Sequence, residues 1–224
     1  MHFEDRTDAG KQLAKALKGY RTENMIVLAL PRGGVPVGYE VAQALNVPLD
    51  VLVVRKLGVP GQDELAMGAI GPGGVVVLNE EVIRMLQIPP ETIDRIIAKQ
   101  YTEIERRLQS FRGDRPFPNL NGKTVVIVDD GLATGSTALA AVQTVLTQNP
   151  TKVILAVPVC APESAARLRP SINDLICLEQ PPDFMAVGYW YRDFRQTTDT
   201  EVTELLNNLW QSEQACTPHT QSDR

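Results

Sequence analysis

Residues 123–137 read KTVVIVDDGLATGST, and the fold follows from this stretch. Lys123 to Val128 is a strand-sized apolar run, the pattern of strands covered on both faces in a parallel sheet. It ends in two adjacent carboxylates, Asp129 and Asp130, and a Gly/Thr/Ser turn that opens a helix over Ala138 to Leu146. In open α/β sheets, ligands bind at the carboxyl ends of the strands. The amides of a glycine-containing turn and of a helix N-terminus donate to a phosphate, and the hydroxyls of Thr134, Ser136 and Thr137 add donors. Asp129 and Asp130 would repel that phosphate, but they can accept hydrogen bonds from a neighbouring diol. The ligand implied is a sugar phosphate. The competing reading is an ordinary strand-to-helix turn with an N-cap, which calls for Ser or Thr but not for two preceding acids.

Working outward, Met25 to Leu30 is a strand-sized run that ends at PRGG (residues 31–34) and leads into a helix over Val35 to Leu45. Leu49 to Val54, Lys152 to Val159 and Asp174 to Leu178 read as further strands, with a helix over Pro162 to Leu168. Alternation of this kind predicts a doubly wound α/β fold with a mainly parallel sheet. A short amphipathic helix is expected within residues 3–18, a longer one over Pro89 to Phe111 and a last one over Glu201 to Trp210. Residues 57–74 hold Gly58, Pro60, Gly61, Gly68, Gly71, Pro72, Gly73 and Gly74, so they are expected to form a long mobile lid, followed by a short strand at Val75 to Leu78. One domain is expected over residues 1–212, with its core at about 20–180, a small hood at about 179–198 together with the N-terminal segment, and a disordered tail at 213–224.

The 224 residues suffice for one α/β domain with a proper core. A net charge of −5 supplies no cationic field for a phosphate backbone, which argues against nucleic acid as a partner. Cys160, Cys177 and Cys216 are widely spaced and odd in number, which disfavours a disulfide framework or a zinc site; Cys160 and Cys177 sit in apolar runs and read as core. His2 and His219 lie near the ends of the sequence, leaving no central histidine for serine-hydrolase chemistry. The first residues are polar and acidic and the apolar runs are strand-sized, so the expected location is the cytoplasm, away from any membrane.

The stretch VVIVDDGLATGST (residues 125–137) closely resembles the phosphoribosyl pyrophosphate (PRPP) motif of type I phosphoribosyltransferases. That resemblance implies that Asp129 and Asp130 hold the ribose 2- and 3-hydroxyls. Ala133, Thr134, Gly135, Ser136 and Thr137 would then wrap the 5-phosphate. PRGG is similar to the family's pyrophosphate loop, so Arg32, Gly33 and Gly34 would approach the diphosphate, with a non-proline cis peptide between Pro31 and Arg32; read alone, the same residues make a simple glycine turn. RKLGVPG (residues 55–61) resembles the opening of the flexible loop of adenine-type members, where Arg55 and Lys56 would offset the charge of the departing pyrophosphate. The resemblance covers roughly residues 25–160.

FMAVGYWYRDFR (residues 184–195) is similar to the hood of hypoxanthine-type members, which makes Phe184, Met185, Val187, Tyr189 and Trp190 candidates for acceptor binding. Phe184 and Met185 compete for the place of the stacking residue, and the cluster reads equally as a hydrophobic plug or a homodimer contact. Hypoxanthine-type members carry an acid where this chain has Ala133. The resemblance thus implies transfer of the phosphoribosyl group to a nitrogen acceptor, a nucleobase with purine favoured, as in nucleoside salvage, with release of pyrophosphate. Magnesium would be held mainly by PRPP, with Asp129 and Asp130 within reach. The alternative is a PRPP- or nucleotide-binding regulatory module without turnover.

Overall fold

The structure is a computed structural model that describes residues 2–215. In chain order the elements are α1 (Arg6–Leu17), β1 (Met25–Ala29), α2 (Gly34–Leu45), β2 (Leu49–Val51), β3 (Arg55–Val59), β4 (Gln62–Ile70), β5 (Val76–Leu78), α3 (Glu80–Met85), α4 (Pro90–Arg112), β6 (Thr124–Val128), α5 (Ser136–Leu146), β7 (Lys152–Val159), α6 (Pro162–Leu168), β8 (Asp174–Glu179) and α7 (Asp199–Ala215). The main sheet has the order β2-β1-β6-β7-β8 and every neighbouring pair is parallel. Val27 lies opposite Val126, and Val126 opposite Ile154.

Successive strand side chains point to opposite faces, so these apolar runs feed two cores. Val27, Val126 and Ile154 pack with residues of α1, α2, α4 and α7, while Leu28, Ile127 and Leu155 pack with residues of α5 and α6. This double burial is why the strands carry apolar residues throughout. Asp5 starts α1 by accepting from Asp8 N at 2.8 Å, and Asn46 ends α2 in the left-handed conformation.

The residues expected as a long irregular loop form an antiparallel sheet of order β3-β4-β5 instead. Leu57, Val59, Met67 and Ile70 are buried in one core with Ile104 and Leu108 of α4, and Ala69 is buried in the other with Ala138 and Val142 of α5. The glycines mislead because they serve close approach and turning here. Gly68 lies against the Val77 carbonyl with no room for a Cβ, and Gly61, Gly73 and Gly74 have positive φ. The tip, Pro60 to Gln62, is exposed; it borders a cavity of about 340 Å³ shared with Leu86, Ile88 and Thr92.

Three further boundaries differ from expectation. Only Leu49–Val51 of the run to Val54 pairs as a strand, although Leu52 N still donates to Ala29 O at 2.9 Å. Helix α3, unmarked by any long periodicity, is capped by Asn79, whose side chain accepts from Val82 N. Helix α7 continues to Ala215, three residues into the expected tail; residues 216–224, with Cys216 and His219, lie outside the described residues.

Residues 3–4 and 190–193 run side by side: Phe3 N donates to Trp190 O at 2.8 Å, Arg192 N to Phe3 O at 2.9 Å and Asp193 N to Glu4 O at 2.9 Å. Phe3 is buried with Ala9 and Tyr191. Residues 3 and 4 are thereby tied to the stretch that follows β8.

Candidate functional site

The order β2-β1-β6 means that the chain leaves β1 toward one side of the sheet and leaves β6 toward the other. The crevice between such strands is where ligands bind in open α/β sheets. Residues 31–34 line it from β1 and residues 129–137 from β6. Leu30 N donates to Val128 O at 2.8 Å, holding the two strand ends together. The peptide between Pro31 and Arg32 is cis. A Cβ on Gly34 would stand 2.7 Å from Val128 O, so only glycine lets this loop lie on the end of β6.

Asp129 Oδ1 accepts from Asp130 N at 2.9 Å. Burial, and then the charge of Asp130, push the Asp129 carboxyl well above the usual carboxylate range. Burial also raises Asp130, against the opposing pull of Arg6. Arg6 Nε donates to Asp130 Oδ2 at 2.9 Å, and Nη2 lies 2.8 Å from the same oxygen as an ion pair. Tyr191 Oη donates to the backbone carbonyl of Asp130 at 2.6 Å, and burial raises its phenol pKa.

The turn that follows is held from below. Leu132 N donates to Val159 O at 2.9 Å, Ala161 N to Leu132 O at 2.8 Å and the buried Ser164 Oγ to Ala133 O at 2.6 Å. Gly135 takes φ 67° and stands at the N-cap of α5, where it has no side chain to satisfy the first amides. Thr134 Oγ1 accepts only a long 3.5 Å bond from Ser136 N. The plain N-cap reading of this turn is therefore not what is built. A cavity of about 180 Å³ lies against Asp129, Ala133, Thr134, Ser136, Thr137 and Val187. It combines helix-terminal amides, hydroxyls and a carboxylate at its edge.

The remaining candidates are distributed unevenly. Arg32 Nη1 lies 3.4 Å from Asp199 Oδ1 at the start of α7. Arg55 Nη2 lies 3.1 Å from Glu103 Oε1 on α4, where Glu103 also holds Arg106 and Arg107, which lower its pKa. Lys56 stands on β3 opposite Ala69. Of the aromatic stretch, Val187 reaches the cavity and crowds Gly131, where a Cβ would stand 2.6 Å from Val187 Cγ1. Trp190 stacks on His2 at 5.6 Å; Tyr189 and Met185 are 63% and 74% exposed, and Phe184 is half-buried.

Sequence reasoning missed Arg6, Ser164, Tyr191 and Phe194. Tyr191 and Phe194 lie inside the quoted aromatic stretch and were within reach of it. Arg6 and Ser164 carried no local signal, since their partners are 124 and 31 residues away.

Residues 4–188 match the family model described as phosphoribosyl transferase domain. Two Mycobacterium tuberculosis proteins, from strains CDC 1551 and H37Rv, bear the provisional name phosphoribosyl transferase. Each is 49% identical to this chain over 205 residues, covering 92% of this chain and 46% of the relative. The chain thus spans about half the length of the curated relatives it matches. A crystal structure of a Thermus thermophilus protein is similar at a TM-score of 0.87 and 42% identity, over 93% of this chain and 99% of that one.

Proposed function

The chain belongs to the phosphoribosyl transferase domain family, and from that premise we propose that it transfers the phosphoribosyl group of PRPP to a nitrogen acceptor and releases pyrophosphate. The observation that supports this most is the meeting of residues 31–34 with Asp129 to Thr137 at one switch point. In this reading Ala133 to Thr137 hold the 5-phosphate and Asp129 and Asp130 hold the ribose hydroxyls. The amide of Gly33, with Arg32, meets the diphosphate, and Gly34, whose own amide donates to Leu30 O at 3.0 Å, gives the loop its close approach. The bond from the anomeric carbon to the diphosphate breaks through an oxocarbenium-like state, and the ring nitrogen of the acceptor bonds to that carbon and loses its proton. Arg55 and Lys56 offset charge on the leaving group, and the β3–β4 hairpin acts as the lid that keeps water out.

Two adjacent carboxylates are hard oxygen donors suited to magnesium, and among the described residues no group of three or more His, Cys, Asp or Glu forms a closed protein site for a metal. The magnesium of this reading is therefore held mainly by PRPP, with Asp129 and Asp130 within reach, and it supplies charge neutralisation of the diphosphate. The acceptor is a nucleobase, purine favoured, seated beside Val187 under the hood of residues 179–198 and the N-terminal segment. Exposed Tyr189 and Met185 are the residues a second copy would cover if the aromatic cluster serves a homodimer. Among the described residues no helix is long and apolar enough to cross a membrane; we place the protein in the cytoplasm, in nucleotide metabolism, without a nucleic-acid partner.

The test is a panel of bases and amines with PRPP and magnesium, read by pyrophosphate release. Release with at least one base supports the assignment. PRPP binding without release from any acceptor supports a regulatory module instead. One observation favours that second reading: position 133 is alanine with its carbonyl tied to Ser164, so no acid stands there to handle an acceptor proton.

A further inference from the structure

Helix α1 begins with Arg6, at the end where the helix dipole disfavours a cation and favours an acid. Local electrostatics therefore do not account for an arginine here. Its guanidinium is held from four sides. Nε donates to Asp130 Oδ2, Nη2 lies 2.8 Å from that oxygen, Nη1 donates to Arg195 O at 2.7 Å, and the group lies over the Phe194 ring at 4.0 Å from its centre. The side chain is only 12% exposed. Tyr191, paired to Phe3 at the start of the chain, grips the same residue through its backbone carbonyl. Both sides of the hood thus converge on Asp130. Both Arg6 contacts fall on one oxygen, so Oδ1 is the oxygen left to accept from a ribose hydroxyl.

Resting on the phosphoribosyl reading above, we infer that Arg6 is a positioning residue for the ribose, fixing the Asp130 carboxylate through Oδ2 so that Oδ1 meets the sugar. The guanidinium suits this role because Nη1 is anchored on Arg195 O, which fixes the group that meets Oδ2, whereas a lysine places one point charge without that second anchor. Arg6 also stands at the edge of the pyrophosphate loop, its Nε 3.3 Å from where a Cβ on Gly33 would be. Direct contact with the diphosphate is therefore the rival that the experiment must separate.

Binding of PRPP with magnesium, ribose 5-phosphate and pyrophosphate is measured by calorimetry on the parent, Arg6→Met and Arg6→Lys, each checked for a cooperative melt. Loss of a charge-assisted hydrogen bond predicts that Arg6→Met weakens PRPP and ribose 5-phosphate by a common factor of about ten or more, with pyrophosphate unaffected and part of the loss recovered in Arg6→Lys. Unchanged ribose affinities overturn the inference. So does loss confined to PRPP and pyrophosphate, which makes Arg6 a diphosphate contact, and so does equal loss of all three ligands. If Arg6→Met does not fold, Arg6→Lys carries the same pattern at smaller size. A parent that binds neither ribose ligand overturns the proposed function itself, a result distinct from a parent that binds while the variants bind equally well.

Discussion

Gly33 and Asp130 meet across the switch point so closely that a methyl group on Gly33 would overlap the Asp130 carboxylate. Gly33→Ala must therefore move either the loop or the acid, and PRPP affinity is expected to fall about tenfold or more, a loss of about 1.4 kcal/mol. Gly19→Ala, where a Cβ meets nothing within 4 Å, is the matched control. Parent-like PRPP binding by Gly33→Ala in calorimetry would refute the placement of this loop over the ribose acids.

Replacing both acids, Asp129→Asn with Asp130→Asn, removes acceptors for the ribose hydroxyls. Hydrogen bonds to charged groups contribute about 1.5 to 3 kcal/mol each, so PRPP binding should weaken by several kcal/mol. Unchanged affinity in a folded double variant removes the ribose assignment.

Burial of Asp129 costs stability. Asp129 has a folded pKa raised above its unfolded value, so the folded state binds the proton more readily. Stability without ligand then falls as pH rises past the unfolded value toward the folded one, and the cost of the buried carboxylate is largest above the folded pKa. Asp129→Asn should melt higher than the parent near about pH 8, with the gain vanishing toward about pH 4. A gain of about 1 kcal/mol would read as about 2 to 4 °C. A variant that melts lower than the parent at both pH values contradicts this account.

If Lys56 meets charge that develops on departing pyrophosphate, Lys56→Met lowers turnover more than ground-state affinity. Ribose 5-phosphate, held by the turn at Thr134 to Thr137, should bind as in the parent. Equal loss for both ligands indicates a general defect, and an unchanged rate puts Lys56 outside the reaction.

Away from the site, Arg112 Nε lies 2.8 Å from Asp50 Oδ1, with the two side chains only 3% and 5% exposed. Arg112→Met strands a buried carboxylate, which costs about 3 to 5 kcal/mol. The urea midpoint should drop with the slope unchanged. A loss under about 1 kcal/mol would mean that the pair is replaceable by packing alone.

The part of the molecule legible in its sequence is the part built from contiguous residues. The β6 run, the two acids and the turn into α5 follow one another without a break, so strand, acids and helix start can be read together. PRGG after β1 is legible for the same reason. The order in which strands repeat with helices carries the sheet as well, because parallel strands need crossovers and crossovers have one preferred hand.

What the sequence by itself determined, then, is a parallel α/β sheet with two acids and a Gly/Thr/Ser turn at the end of one strand. The tertiary structure decided three things that local pattern does not encode. It turned the glycine-rich residues 57–70 into a pair of strands, because Gly68 gives the Val77 carbonyl room that no other residue leaves and because α4 and α5 bury the alternate side chains. It carried Arg55 to Glu103 on α4, a partner 48 residues away. It set Arg6 on Asp130 across 124 residues. Periodicity and turn chemistry act over a few residues and can be read along the chain. The charge that offsets a buried acid acts through space, and only the folded chain says which side chain arrives there.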